Sequence, residues 1–118
     1  MHESYPGMRI KSSKVVDGPD RAPARAMLRA VGLNDQHFGQ PFVGVANLAS
    51  DLTPCNYHLG NVVKATKDGV SSALGTPFEF GVLTVSDGIS MGTQGMKASL
   101  ISREIIADSI ELVAFAEG

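Results

Sequence analysis

The sequence predicts an α/β fold, a parallel sheet flanked by helices and built around a βαβ unit. Three observations carry it. Two short, almost continuously apolar runs, Phe42–Asn47 (FVGVAN) and Phe80–Val85 (FGVLTV), read as strands buried on both faces. A stretch with helical apolar spacing lies between them, and a longer one follows the second run. Strand, helix, strand and helix in that order imply parallel pairing and a right-handed crossover.

Taken in order, residues 1–18 are polar and irregular, with Gly7 and Gly18 as breakers, and are expected to form an N-terminal arm. Asp20–Val31 is rich in Ala, Arg, Leu and Met, all good helix formers. Pro23 is tolerated in a first turn and Gly32 is a natural stop. Asn34–Gln40 reads as a loop, Phe42–Asn47 as the first strand and Ala49–Pro54 as the loop after it. Asn56 is a candidate cap for a helix to about Leu74, with Leu59, Val62, Val63, Val70 and Ala73 apolar. Gly75-Thr76-Pro77 ends that helix and Phe80–Val85 is the second strand. A glycine-rich turn, Gly88–Gly95, leads into a helix from Met96 to about Ala116, apolar at Ile101, Ile105, Ile106, Ile110, Leu112 and Val113.

Composition narrows the function. The chain has 118 residues, 43 % hydrophobic, with 10 Lys+Arg against 12 Asp+Glu. That is one ordinary domain with enough apolar content for a core. The near-neutral charge argues against a nucleic-acid partner. No apolar run approaches the roughly 18 residues of a membrane span, and the N-terminus lacks the apolar segment of a secretory signal. The expected compartment is the cytoplasm. One cysteine excludes an internal disulfide framework, a self-contained Cys-rich zinc site and a cluster held by this chain's own thiolates alone.

Ligands of open α/β sheets bind beyond the carboxyl ends of the strands. Two polar clusters fall at such ends, Asp51–Asn56 after the first strand and Val85–Gly92 after the second. Parallel pairing puts both on one edge, so Cys55 and Asp87 are candidates for a shared site. Cys55, at a helix start, reads as a nucleophile, a metal ligand or a small buried hydrophobe. Asp87 reads as a ligand for Mg²⁺ or a substrate hydroxyl, or as a turn-forming cap. Gly88, Gly92 and Gly95 fit neither a dinucleotide fingerprint nor a Walker A loop; an anion cradle and a tight strand-to-helix turn remain open. His2, His37 and His58 show no metal-ligand spacing and are expected on the surface or in the core. Met27, Met91 and Met96 read as packing residues. Arg103, Glu104, Asp108 and Glu111 read as a solvated face with local ion pairs, with Arg103 and Asp108 alternatively facing a neighbouring domain.

Four stretches carry a resemblance: Asp20–Gly32 (DRAPARAMLRAVG), Thr53-Pro54-Cys55-Asn56, Val85–Gly92 (VSDGISMG) and Ser102–Glu111 (SREIIADSIE). In order and spacing they resemble the dihydroxy-acid dehydratases, from about residue 12 to the end. The resemblance implies removal of water from 2,3-dihydroxy carboxylic acids to give 2-keto acids, in valine and isoleucine biosynthesis. It implies a 2Fe-2S cluster on three cysteines, the first matched by Cys55, and Mg²⁺, whose first carboxylate ligand is matched by Asp87. These metals supply Lewis acidity at the leaving 3-hydroxyl and at the substrate's carboxylate end, while a base takes the C2 proton.

The family pattern continues past Gly118 with a Cys-Asp-Lys motif, a third cysteine, a serine base and a C-terminal β-barrel domain. The chain therefore reads as an N-terminal fragment, with residues 19–118 expected to form an incomplete N-terminal α/β domain. Alone, it is expected to be inactive, to hold no stable cluster and to leave an apolar sheet edge exposed. Full-length members are expected to be homodimers acting on a small dihydroxy acid, with neither nucleic acid nor membrane as partner. Two other readings follow: a sugar-acid dehydratase of the same superfamily acting on a gluconate-type substrate, and a non-catalytic fragment that associates with full-length subunits.

Overall fold

The computed structural model describes residues 10–117. Its helices are α1 (Ile10–Val16), α2 (Ala22–Ala30), α3 (Asp35–Phe38), α4 (Pro54–Tyr57), α5 (Leu59–Ser72), α6 (Asp87–Ser90) and α7 (Met96–Ala116), with a 3₁₀ turn at Pro19–Arg21. The strands β1 (Phe42–Asn47) and β2 (Thr76–Gly81) pair in parallel, with α4 and α5 between them. The expected βαβ unit is present.

The N-terminal arm departs from expectation. Residues 1–9 lie outside the described residues, but Ile10–Val16 is helical rather than irregular. The cause is tertiary. The last carbonyls of a helix have no partner within it, and here arginines further along the chain supply one. Arg21 Nε donates to Val15 O at 2.7 Å, and Arg25 Nη1 donates to Val16 O at 2.6 Å and Gly18 O at 2.7 Å. Val16 is buried beneath them, 1 % exposed.

The helix expected over Asp20–Val31 forms as the 3₁₀ turn and α2, and it ends as glycine predicts. Gly32 takes φ +100°; its N–H reaches Arg29 O at 3.0 Å and that of Leu33 reaches Leu28 O at 3.2 Å, a Schellman closure. The expected loop at Asn34–Gln40 contains α3. Asn34 Oδ1 accepts from Gln36 N and His37 N, and His37 Nδ1 accepts from Asn34 N at 2.9 Å. His37 is thus the reciprocal partner of a capping box. Arg29 pairs with Asp35 and sits 5.0 Å from the centre of the buried Phe38 ring.

β1 forms over the predicted residues. β2 begins four residues before the predicted Phe80 and ends at Gly81. The register runs from Phe42 opposite Thr76 to Asn47 opposite Gly81. Thr76 N donates to Pro41 O at 2.9 Å and Val82 N to Asn47 O at 3.0 Å. Alternate residues of a strand face the same neighbour, so Pro77, which has no N–H, falls where none is needed. Glu79 is tolerated because Lys67 Nζ and Asn47 Nδ2 hold it, at 3.1 and 3.2 Å.

α5 covers the sheet face that carries Val43, Pro77 and Glu79, and its C-terminus fixes where β2 starts. Leu74 N–H reaches Ser71 O at 3.1 Å and Gly75 N–H reaches Val70 O at 3.0 Å. This is a second Schellman closure, with Leu74 at φ 65°, a conformation that costs a non-glycine residue about 1–2 kcal/mol. Glycine is needed one position later. A Cβ on Gly75 would lie 2.9 Å from Val70 Cγ1 and 3.3 Å from Val43 Cγ2.

The strands are not covered on both faces within the described residues. Phe42 and Phe78, on the face away from α5, meet as tilted rings with centroids 4.8 Å apart and stay half-exposed. The buried apolar side chains are Val16, Phe38 and Val63, whereas Leu100, Ile101, Ile105, Leu112 and Phe115 of α7 are exposed. The radius of gyration is 17.3 Å, against about 13–14 Å for a compact chain of this length. Met27 and Met91 are exposed rather than packed. The ion pairs expected on α7 are absent among the described residues. Spacing explains it: no acid lies three or four residues from Arg103, while Glu104, Asp108 and Glu111 follow one another at those intervals.

Candidate functional site

Both candidate turns leave the carboxyl edge of the sheet. After β1 the chain turns twice on its own side chains. Ala49 N donates to Asn47 Oδ1 at 2.9 Å, and Leu52 N to Ser50 Oγ at 3.1 Å. Thr53, 4 % exposed, then caps α4: its Oγ1 accepts from Asn56 N at 3.2 Å and donates to Asn56 Oδ1 at 2.6 Å. Pro54 occupies the first helical position, where a missing N–H costs nothing. Cys55 is the second residue of α4, a free and exposed thiol. The buried-hydrophobe reading of Cys55 is therefore overturned.

Asn56 is not the cap the sequence suggests. It sits inside α4, and its side chain reaches back to the strand, Nδ2 donating to Leu48 O at 2.9 Å. The helix expected from Asn56 to Leu74 is divided at His58, an exposed residue joining α4 to α5.

After β2 the chain runs extended to Ser86. Thr84 Oγ1 donates to Leu48 O at 3.1 Å, the same carbonyl that Asn56 uses. Asp87 opens α6, and its Oδ1 accepts from Ser99 Oγ of α7. Ser99 is buried, and Ser102 Oγ donates back to Ser99 O at 2.6 Å. The glycine-rich segment is a turn. Ser90 N donates to Ser86 O, Met91 N to Asp87 O, Thr93 N to Ser90 O and Met96 N to Thr93 O. Gly92 takes φ +80° to make the bend. With these N–H groups committed to the chain itself, the anion-cradle reading loses most of its donors.

The structure thus brings the Cys55 turn and the Asp87 turn to one edge and ties both to one carbonyl. Among the described residues it assembles no group of three metal-ligating side chains. His37 is committed to its capping box, and His2 lies outside the described residues. Sequence reasoning missed Thr53, Thr84 and Ser99. Thr-Pro ahead of a short helix is a local cap signal; Thr84 and Ser99 act across long separations that leave none.

Comparison with known proteins decides the relationship. Residues 40–118 match the family model of the dihydroxy-acid/6-phosphogluconate dehydratase N-terminal region. The chain belongs to this dehydratase family. Dihydroxy-acid dehydratase from Natronomonas pharaonis is 57 % identical over 109 residues, covering 92 % of this chain. The dihydroxy-acid dehydratase of Haloarcula marismortui is 57 % identical over 108 residues, and that of Thermus thermophilus is 56 % identical over 105. The matched segments are 18–19 % of those dehydratases, so the chain spans about one fifth of the length of the curated relatives it matches. Cys55 and Asp87 both fall within the region that the dehydratase family model covers.

Proposed function

We propose that this chain supplies the first ligands of a dehydratase that converts 2,3-dihydroxy carboxylic acids to 2-keto acids in branched-chain amino-acid biosynthesis. In that reaction the C2–H proton and the C3 hydroxyl leave as water, and the resulting enol tautomerises to the ketone. The observation that carries the reading is the shared edge: a free, exposed thiol and a carboxylate in two turns whose neighbouring residues Asn56 and Thr84 both bond Leu48 O, in a chain of this dehydratase family.

Each residue fits one role. Cys55 carries an exposed thiol with no disulfide, suited to a 2Fe-2S cluster. Asp87 is exposed, and its Oδ1 is steadied by Ser99, suited to Mg²⁺. Neither ligand set is complete here, because one cysteine provides one thiolate. The other ligands and the base belong to the remainder of such an enzyme, and the 118-residue chain alone is inactive.

Anaerobic reconstitution with iron and sulfide tests this. The chain alone is expected to give neither a stoichiometric visible chromophore nor keto acid; both together would overturn the inactivity. Fused in place of the matching segment of the Thermus thermophilus relative, the chain is expected to support both. Cys55→Ser then removes the chromophore, while Asp87→Asn keeps it and weakens the Mg²⁺ dependence. Running the fusion on a gluconate-type acid separates the sugar-acid reading, which the family model's name also covers.

A further inference from the structure

The ladder between β1 and β2 closes with Val82 N on Asn47 O. The next carbonyl, that of Leu48, lies just beyond it. Two side chains from two different turns meet there, Asn56 Nδ2 at 2.9 Å and Thr84 Oγ1 at 3.1 Å. A carbonyl oxygen has two lone pairs, and these two donors fill both. Asn56 adjoins Cys55 in α4, and Thr84 lies three residues before Asp87.

We infer that Asn56 and Thr84 are positioning residues that set the separation of Cys55 from Asp87 through their common acceptor, Leu48 O. This rests on the reading of Cys55 and Asp87 as ligands, and it adds how their spacing is held. α4 and α6 are four residues each, too short to hold a fixed geometry by helix propensity. The turn after β1 is held to the sheet by Asn56, and the extended segment after β2 by Thr84. Losing either donor frees one turn relative to the other while the ladder stays closed. Asn56 is suited to its place because its Oδ1 accepts from Thr53 while its Nδ2 reaches Leu48. An Asp there keeps the first bond and loses the second.

The single cysteine makes the test direct. A nitroxide on Cys55 of the full, ¹⁵N-labelled chain broadens amide signals according to their distance. The measurement contains no metal, so it reads the spacing alone, whereas the ligand assignment stands or falls with Cys55→Ser and Asp87→Asn in the reconstituted fusion. Losing one net hydrogen bond shifts the held-to-released ratio by about two- to tenfold. Thr84→Val and Asn56→Asp each lower that ratio by this factor, so the broadening at Asp87–Ser90, which follows the held fraction, is expected to fall. Amide chemical shifts of Leu59–Ser72, read with the nitroxide reduced, stay unchanged and report that α5 is intact. Thr84→Ser, which keeps the hydroxyl, restores the original pattern. Unchanged broadening at Asp87–Ser90 in either variant with α5 intact, or a Thr84→Ser variant that behaves like Thr84→Val, overturns the inference. If Thr84→Val unfolds the chain, Asn56→Asp and Thr84→Ser decide it.

Discussion

Gly75→Ala is expected to destabilise the chain, while Gly69→Ala, six residues earlier, is expected to stabilise it. The added Cβ at Gly75 would stand 2.9 Å from Val70 Cγ1 and 3.3 Å from Val43 Cγ2, where carbon atoms sit comfortably at about 3.5–4.0 Å. Val70 cannot swing aside cheaply, because a β-branched side chain in a helix is held in one rotamer. Val43 belongs to β1, so relief there means moving the strand. Overpacking of this kind costs about 1–3 kcal/mol. At Gly69, on the exposed side of α5, a Cβ meets nothing within 4 Å, and Ala is favoured over Gly in a helix by about 1 kcal/mol. The variants should therefore differ by about 2–4 kcal/mol. At about 4 °C per kcal/mol for a chain of this size, their melting midpoints followed by circular dichroism should stand some 8–16 °C apart, with the parent between them. A Gly75→Ala midpoint at or above the parent's would refute the close approach that fixes the start of β2, and with it the register that presents the Asp87 turn.

Arg25→Ala removes the bond to Val16 O at the end of α1 and the bond to Gly18 O just beyond it, and should raise amide hydrogen exchange across Lys11–Val16 while leaving α5 unchanged. Thr53→Ala strips the cap from α4, should cost about 1 kcal/mol and should speed alkylation of Cys55, with Thr53→Ser close to the parent in both measurements. Lys67→Met breaks a half-exposed ion pair and should move the urea midpoint by less than 1 kcal/mol in equivalent stability.

The parts of the fold legible in sequence are those where local and tertiary preferences agree. Phe42–Asn47 is apolar and follows a proline, and it pairs over those residues. Gly32 stops α2 by a left-handed turn that its sequence position predicts. The second strand misleads because its apolar continuation, Val82–Val85, resembles a strand better than TPFEFG does; Pro77 is accepted because its missing N–H faces away from β1, and Glu79 because its side chain stays exposed beside Lys67. α1 is invisible locally because the groups that complete it, Arg21 and Arg25, lie beyond it in the 3₁₀ turn and in α2. The shared edge was legible from the order of strands and loops. Its anchor was not, since a backbone carbonyl carries no sequence signature.

That division bears on how the site works. The two candidate ligands stand on helices of four residues each, where nucleation is unfavourable and each turn depends on side-chain bonds. Thr53 and Asn56 hold one turn; Ser99 and Thr84 hold the segment around the other. Segments fixed by a few half-exposed bonds open at lower free energy than the helices and strands beside them. Placing a thiol and a carboxylate there leaves both open to solvent, as the proposed ligand roles require. It also makes their spacing a property of individual hydrogen bonds, so a single atom's change, such as Asn56→Asp, is enough to test it.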